Sequence, residues 1–246
     1  MPKFGKLPVV EDERNLMFAK YTLTDLPPPF PSVSSLYRIE GALPINASDI
    51  NSLFPMDGND VLGDCTICGL AHAIAVYDGL VGKKNVIAAS YVIALYQQLT
   101  GGPDTGLACM TVLDYWKKNA FAGKELLAYV QIDPTNVVHV KQAIDMFGAV
   151  YIGFNVQENC LSDFNAGITW TPGTPTNDGH CVLVTSYSKD NVRVLTWGST
   201  QLGTWDWFTQ MCDECYAILP PEAETSGFAP NFDFASLKAD LAALGA

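Results

Sequence analysis

Two short stretches of this chain carry residue types that could make and break a covalent bond. Cys65 stands in Asp64-Cys65-Thr66-Ile67-Cys68-Gly69, which opens an apolar run suited to a helix. His180 stands far downstream in Gly179-His180-Cys181, at the entry to an apolar strand. A thiol in the first turn of a helix meets unpaired amide N–H groups and the positive end of the helix dipole, both of which favour thiolate. An imidazole brought beside it would act as its base. The neighbouring Asp64 carboxylate opposes a second anion, so its side chain is expected to cap the helix or turn away.

The other two histidines fit this role less well. His72 follows Cys65 by seven residues, which on a helix puts it about 10 Å further along the axis and out of reach. His139 lies mid-helix between Val138 and Val140 and reads as a partly buried or surface histidine. His180 instead follows the small, polar run Thr174-Pro175-Thr176-Asn177-Asp178-Gly179, which places its ring at a sheet edge where a helix start could face it.

The remaining cysteines have plainer readings. Seven cysteines, at positions 65, 68, 109, 160, 181, 212 and 215, are an odd count without a regular framework, and free thiols are expected. Cys65-Thr66-Ile67-Cys68 also has the spacing of a dithiol oxidoreductase, but turn formers rather than a strand precede it, so Cys68 reads as a small core residue. Cys212-Asp213-Glu214-Cys215 repeats the spacing at a separation unlike that of zinc ribbons or knuckles. No metal and no cofactor are expected. Trp205, Trp207 and Phe208 read as core aromatics, and Asp104 and Asp114 as solvated surface.

The elements that must position Cys65 and His180 can be traced from periodicity and turn signals. Helices are expected from Asp64 to about Leu80, from Ser90 to Leu99 and from Met110 to Asn119, so the first half is mainly helical, and the second half opens with an amphipathic helix from Asn136 to Phe147. Strands are expected over Val150 to Val156, Cys181 to Ser186, Val192 to Trp197 and Cys215 to Leu219, with a helix over Thr204 to Asp213. Residues 1–54 lack periodicity and contain Leu26-Pro27-Pro28-Pro29-Phe30-Pro31, which predicts an extended N-terminal arm. Residues 55–222 form the body, and residues 223–246 a tail ending in a docked helix.

With 246 residues and 48% hydrophobic content, the chain can bury a large core. Its formal charge of -12, from 26 acidic and 14 basic residues, repels phosphate backbones and anionic lipid, so neither nucleic acid nor a membrane is expected as partner. No run approaches the roughly 18 apolar residues of a membrane span. The opening Met1-Pro2-Lys3-Phe4-Gly5-Lys6 leads into polar sequence without a signal-peptide core, which predicts the cytosol, or a virion assembled there, as compartment.

Several stretches together resemble the papain-like cysteine peptidase fold, with a likeness to divergent bacterial and phage-encoded members. Asn59-Asp60-Val61-Leu62-Gly63-Asp64-Cys65 is similar to the loop that runs from the oxyanion glutamine to the nucleophile. Val140-Lys141-Gln142-Ala143-Ile144 through Phe147-Gly148-Ala149-Val150-Tyr151-Ile152 is similar to the helix and strand before the histidine. Gly179-His180-Cys181-Val182-Leu183-Val184 resembles the histidine strand, and Thr196-Trp197-Gly198-Ser199 the strand that carries the orienting asparagine and its tryptophan.

The resemblance implies an α+β fold in which a helical half led by the nucleophile helix packs against a mainly antiparallel sheet half. It implies Cys65 as nucleophile, His180 as base and acid, Thr196 as a substitute orienter, and Asn59 with the Cys65 N–H as oxyanion donors. Trp197 and Gly179 would contact substrate, and the reaction would be hydrolysis of a peptide or related amide through a thioester. Asn59 is one methylene shorter than glutamine and would fall short by on the order of 1 Å. Thr196 has less reach than asparagine. These departures support a second reading, a papain-like scaffold without turnover that serves in an assembly such as a phage particle. The N-terminal arm would then wrap neighbours, or cover the cleft as an inhibitory segment.

Overall fold

A computed structural model of the chain describes residues 2–23, 28–43 and 51–245. Its elements in chain order are α1 (Phe18–Tyr21), β1 (Val33–Ser34), α2 (Ser35–Ala42), α3 (Cys65–Leu80), α4 (Ala89–Thr100), α5 (Cys109–Lys118), β2 (Ala128–Gln131) and α6 (Val137–Phe147). They continue with β3 (Val150–Gln157), α7 (Cys160–Ala166), β4 (Pro175–Tyr187), β5 (Asn191–Thr196), β6 (Ser199–Thr204), α8 (Trp205–Met211), β7 (Cys212–Leu219) and α9 (Phe234–Leu244). The strands form one antiparallel sheet in the order β2-β7-β3-β4-β5-β6, with β1 paired to the end of β4. The architecture is α+β, a helical half packed on an antiparallel sheet half.

Both faces of the sheet are covered, so its strands alternate between two cores rather than between core and water. On β3, Val150, Ile152 and Phe154 join the core beneath α6, α8 and α9, while Tyr151 joins the core around α3, α4 and α5. On β4, Val182 and Val184 take the first side and Cys181 and Leu183 the second. Helix α3 is apolar all round, with 14 of its 16 residues buried, and therefore runs through the middle of the molecule. Gly69 lets it approach the sheet: a Cβ there would stand 2.7 Å from the Tyr151 ring. The Tyr151 hydroxyl donates to the Thr66 carbonyl at 2.8 Å and pins the first turn of α3 to β3.

The described part of residues 1–54 is not extended throughout, contrary to expectation. Helix α1 buries Phe18 and Tyr21, and α2 buries Leu36 and Ile39 against α3. Each helix is too short for its apolar spacing to register as a period. Leu26 and Pro27 of the proline-rich segment, and residues 44–50 of the arm, lie outside the described residues. Strands β2 and β6 and helix α7 were not expected from the sequence. Among the described residues, no helix is long and apolar enough to cross a membrane.

Candidate active site

His180 lies on β4 opposite Phe154 of β3, and Thr196 ends β5. With the ring proton on Nε2, His180 donates to Thr196 Oγ1 at 2.8 Å, and Nδ1 is left buried without a hydrogen-bond partner. The Trp197 indole stacks on the imidazole, with centroids 4.4 Å apart and planes 17° from parallel. Phe4 and Phe154 meet the same ring edge-on at 5.6 and 5.7 Å. Trp197 is held there by a two-residue hairpin: Thr196 pairs with Ser199, and both Trp197 and Gly198 have positive φ, 47° and 68°. Such turns favour Asn-Gly, so a tryptophan at the first position carries strain of about 1 kcal/mol. The ring stack fixes the imidazole plane in return.

Cys65 begins α3, and both its side chain and that of His180 are only 1% exposed. Together with Asn59, Thr196 and Trp197 they line a cavity of about 10 Å³, at the lower limit for a single water. Burial pushes the Cys65 thiol up to about 12, and backbone groups of Cys181 and Gly5 offset this only in part. Burial also lowers His180 to about 3. The two groups are therefore a thiol and a neutral imidazole, not an ion pair.

Asp64 holds the N-cap position and its side chain makes no cap hydrogen bond, the second of the two arrangements expected for it. Its Oδ1 instead accepts the Cys68 thiol at 3.4 Å, and burial raises its pKa to about 7. Asn59 is buried, and its amide donates to the Leu62 carbonyl at 3.0 Å. His72 is held by the Pro55 carbonyl at 2.9 Å. Cys181 faces the α3 side of the sheet, away from the His180 ring. All seven cysteines are free and buried, and among the described residues no group of three or more His, Cys, Asp or Glu side chains could hold a metal.

The cleft between the halves is filled by the chain's own N-terminal residues. Lys3 N–H donates to the Asn59 carbonyl at 2.8 Å, and the Trp197 indole donates to the Lys3 carbonyl at 3.2 Å. Lys6 N–H donates to the Gly179 carbonyl at 3.0 Å. On the helical side, Leu7 N–H donates to the Leu107 carbonyl at 3.0 Å and Leu107 N–H to the Gly5 carbonyl at 2.9 Å. Gly5 has no room for a side chain: its Cβ would lie 1.9 Å from the Gly63 carbonyl oxygen. The Lys6 ammonium enters the sheet half between Asp213, at 2.9 Å, and Glu214, at 3.2 Å.

The structure thus gathers Cys65, Asn59, His180, Thr196 and Trp197 at one cavity, and directs the Gly179 carbonyl at the N-terminal segment. Sequence reasoning missed Gly5, Lys6, Leu107, Asp213 and Glu214. Asp104, expected as solvated surface, is exposed, and its carboxylate also accepts from Gly63 N–H, the Tyr96 hydroxyl and Lys3. The one available signal was an Asp-Glu pair inside the apolar run Cys212-Asp213-Glu214-Cys215-Tyr216-Ala217-Ile218-Leu219.

No protein-family model matches the chain, and no curated protein matches its sequence. Solved structures do match. Xylellain, a cysteine protease from Xylella fastidiosa, superposes with a TM-score of 0.64 at 16% identity, over 88% of this chain and 95% of that one. A procathepsin B from Trypanosoma congolense gives 0.62 at 13% identity, over 88% and 86% of the two chains. The Carica candamarcensis cysteine protease CMS1MS2, in complex with E-64, gives 0.54 at 10% identity, over 77% and 98%. At these identities the likeness concerns the fold, and the fold of this chain is papain-like.

Proposed function

We propose that the protein is a papain-like cysteine hydrolase that cleaves a peptide or related amide, and that its residues 3–7 hold it closed. The observation that supports this best is the His180 ring, bonded through Nε2 to Thr196 and stacked on Trp197, with unpartnered Nδ1 in the cavity that Cys65 also lines. Once the segment leaves and water enters, desolvation no longer holds both groups neutral, and His180 Nδ1 can take the thiol proton. The Cys65 sulfur then attacks the substrate carbonyl, with the Cys65 N–H and a reoriented Asn59 amide donating to the oxyanion. Collapse breaks the C–N bond, the amine leaves with the proton from His180, and a thioester remains. Water activated by His180 hydrolyses the thioester, releasing the acid and restoring the thiol. Thr196 is a positioning residue.

The likeness to cysteine proteases, whose fold the chain shares over most of its length, favours peptide or protein substrates. The test is cleavage of a fluorogenic peptide library by full-length Gly5→Val protein, in which the segment no longer fits. Cleavage that disappears with Cys65→Ala is the expected result. No cleavage, together with a Cys65 that alkylates like an ordinary thiol and is indifferent to His180→Ala, would overturn the proposal. A second reading draws on the same closure: a neutral, 1% exposed Cys65 also suits a scaffold without turnover. Such a protein would form stoichiometric complexes that tolerate Cys65→Ala.

A further inference from the structure

Another cavity, of about 450 Å³, opens where the segment leading into α2, helix α6 and the chain ahead of α9 meet. Its walls are largely apolar, from Pro28, Phe30, Val33, Met146, Phe228 and Pro230. The volume falls in the range of small-molecule sites, roughly 300–1,000 Å³, and no lining residue is shared with the cavity at Cys65. Phe30 and Phe228 are 65% and 38% exposed, so two large aromatic side chains stand partly in water beside it.

Two charged side chains line this cavity, Asp145 of α6 and Arg38 of α2, and the protein serves them differently. Asp145 Oδ1 accepts from the Tyr187 hydroxyl at 2.7 Å, and Oδ2 from Phe30 N–H at 3.3 Å. Each of its oxygens therefore has a donor. The Arg38 guanidinium carbon lies 5.2 Å from the centre of the Phe228 ring. Among the described residues, no hydrogen bond engages that guanidinium and no carboxylate stands in ion-pair range of it, in a chain with 26 acidic residues. Burial works against the cation, and the Asp145 charge supports it only from a distance. The aromatic contact leaves the in-plane N–H donors of Arg38 unused, and those are the groups that grip a carboxylate through two parallel bonds.

We propose that this cavity binds a monocarboxylate with an apolar tail, of the fatty-acid class, whose carboxylate pairs with Arg38 and whose tail lies along Phe30, Val33, Met146 and Phe228. The apolar walls strengthen such a pair by lowering the local dielectric. Asp145 limits the charge of the ligand, since a phosphate dianion meets about twice the repulsion that a carboxylate does. An uncharged ligand with the same tail gains the burial but leaves the guanidinium unpaired. Nothing in this site depends on Cys65 acting as a nucleophile.

The test is calorimetric titration of the full-length protein near neutral pH with decanoate, kept below the concentration at which it forms micelles. Decanol supplies the tail without the charge, acetate the charge without the tail, and decyl phosphate the heavier charge. Decanoate should bind one molecule per chain, at least about tenfold more tightly than decanol and more tightly than decyl phosphate, while acetate should give no saturable heat. Arg38→Met keeps the apolar stem and removes the donors. It should weaken decanoate at least about tenfold, to the level of decanol, and leave decanol binding unchanged. Absence of saturable decanoate binding to protein with native circular dichroism overturns the proposal, as does decanol or decyl phosphate binding as tightly as decanoate. Unchanged decanoate affinity in Arg38→Met overturns it too, because the ligand then sits on some other apolar surface. Where Arg38→Met fails to fold, Arg38→Gln takes its place with the same outcomes.

Discussion

At one end of the cleft Lys6 stays charged between Asp213 and Glu214; at the other, Cys65 and His180 are driven neutral. Lys6, Cys65 and His180 are themselves equally buried, so burial alone does not decide the outcome. The lysine keeps its proton because opposite charges were buried with it, while neither the thiol nor the imidazole meets a charged partner. The same short segment causes both results, since Lys6 fills the acidic slot and Gly5 and Phe4 close over the reactive groups. A buried ionisable group therefore reports who its neighbours are.

The contrast breaks most visibly if the segment is evicted. Gly5→Val should raise iodoacetamide labelling of Cys65 at pH 7 on the order of 1000-fold, because a thiol held at about 12 returns toward the ordinary range. Peptide mapping by mass spectrometry reads the rate, and an unchanged rate would mean that the segment does not control the thiol.

Acid stability sharpens the neutral end. His180, lowered to about 3 from 6.5, is protonated first in the unfolded chain, so it costs stability as pH falls below about 6.5. Asp64, raised to about 7 from 3.8, is protonated first in the folded chain and adds stability over an overlapping window. The two oppose each other. Asp64→Asn removes the gain, so relative to wild type it should lose about 1.4 kcal/mol per pH unit between pH 7 and 4, about 4 kcal/mol in all. Parallel urea titrations across that range check it, and parallel curves would refute the burial assigned to Asp64.

At the charged end, Lys6→Met should cost about 3 kcal/mol in urea unfolding, and adding Glu214→Gln should recover most of it. Additive losses would show that the two are not coupled. The smallest effect is expected at Thr196→Val, which leaves a second ring nitrogen of His180 unpaired and should cost about 1 kcal/mol of stability. In an active enzyme it should lower kcat with little change in KM, and Thr196→Ser should restore the rate.

The fold was legible wherever periodicity ran long enough. Helices α3 to α6 and strands β3 to β5 fall within a few residues of expectation, apart from the earlier start of β4. Strand β2 has only four residues, and β6, Ser-Thr-Gln-Leu-Gly-Thr, has a single large apolar residue and so shows no alternation to separate it from a turn. Cys65 and His180 stood out because a helix start and a strand entry are local features. Lys6 and Asp213 lie 207 positions apart, and nothing in either neighbourhood specifies the other. Local rules left Asp64 either capping the helix or turned away, and the Cys68 thiol one turn later, which takes its oxygen, decides between the two.

In the function proposed above, the hydrogen bonds that tie Lys6 and Leu7 to both walls of the cleft would make residues 3–7 a tethered competitor. A segment joined to its own site acts at an effective concentration in the millimolar range for a short linker, which any free peptide must outcompete. Val10, just beyond the anchor, is 49% exposed. One cut there would turn the competitor into a dilute free peptide without altering any contact it makes, and occupancy of the cleft would then depend on concentration alone.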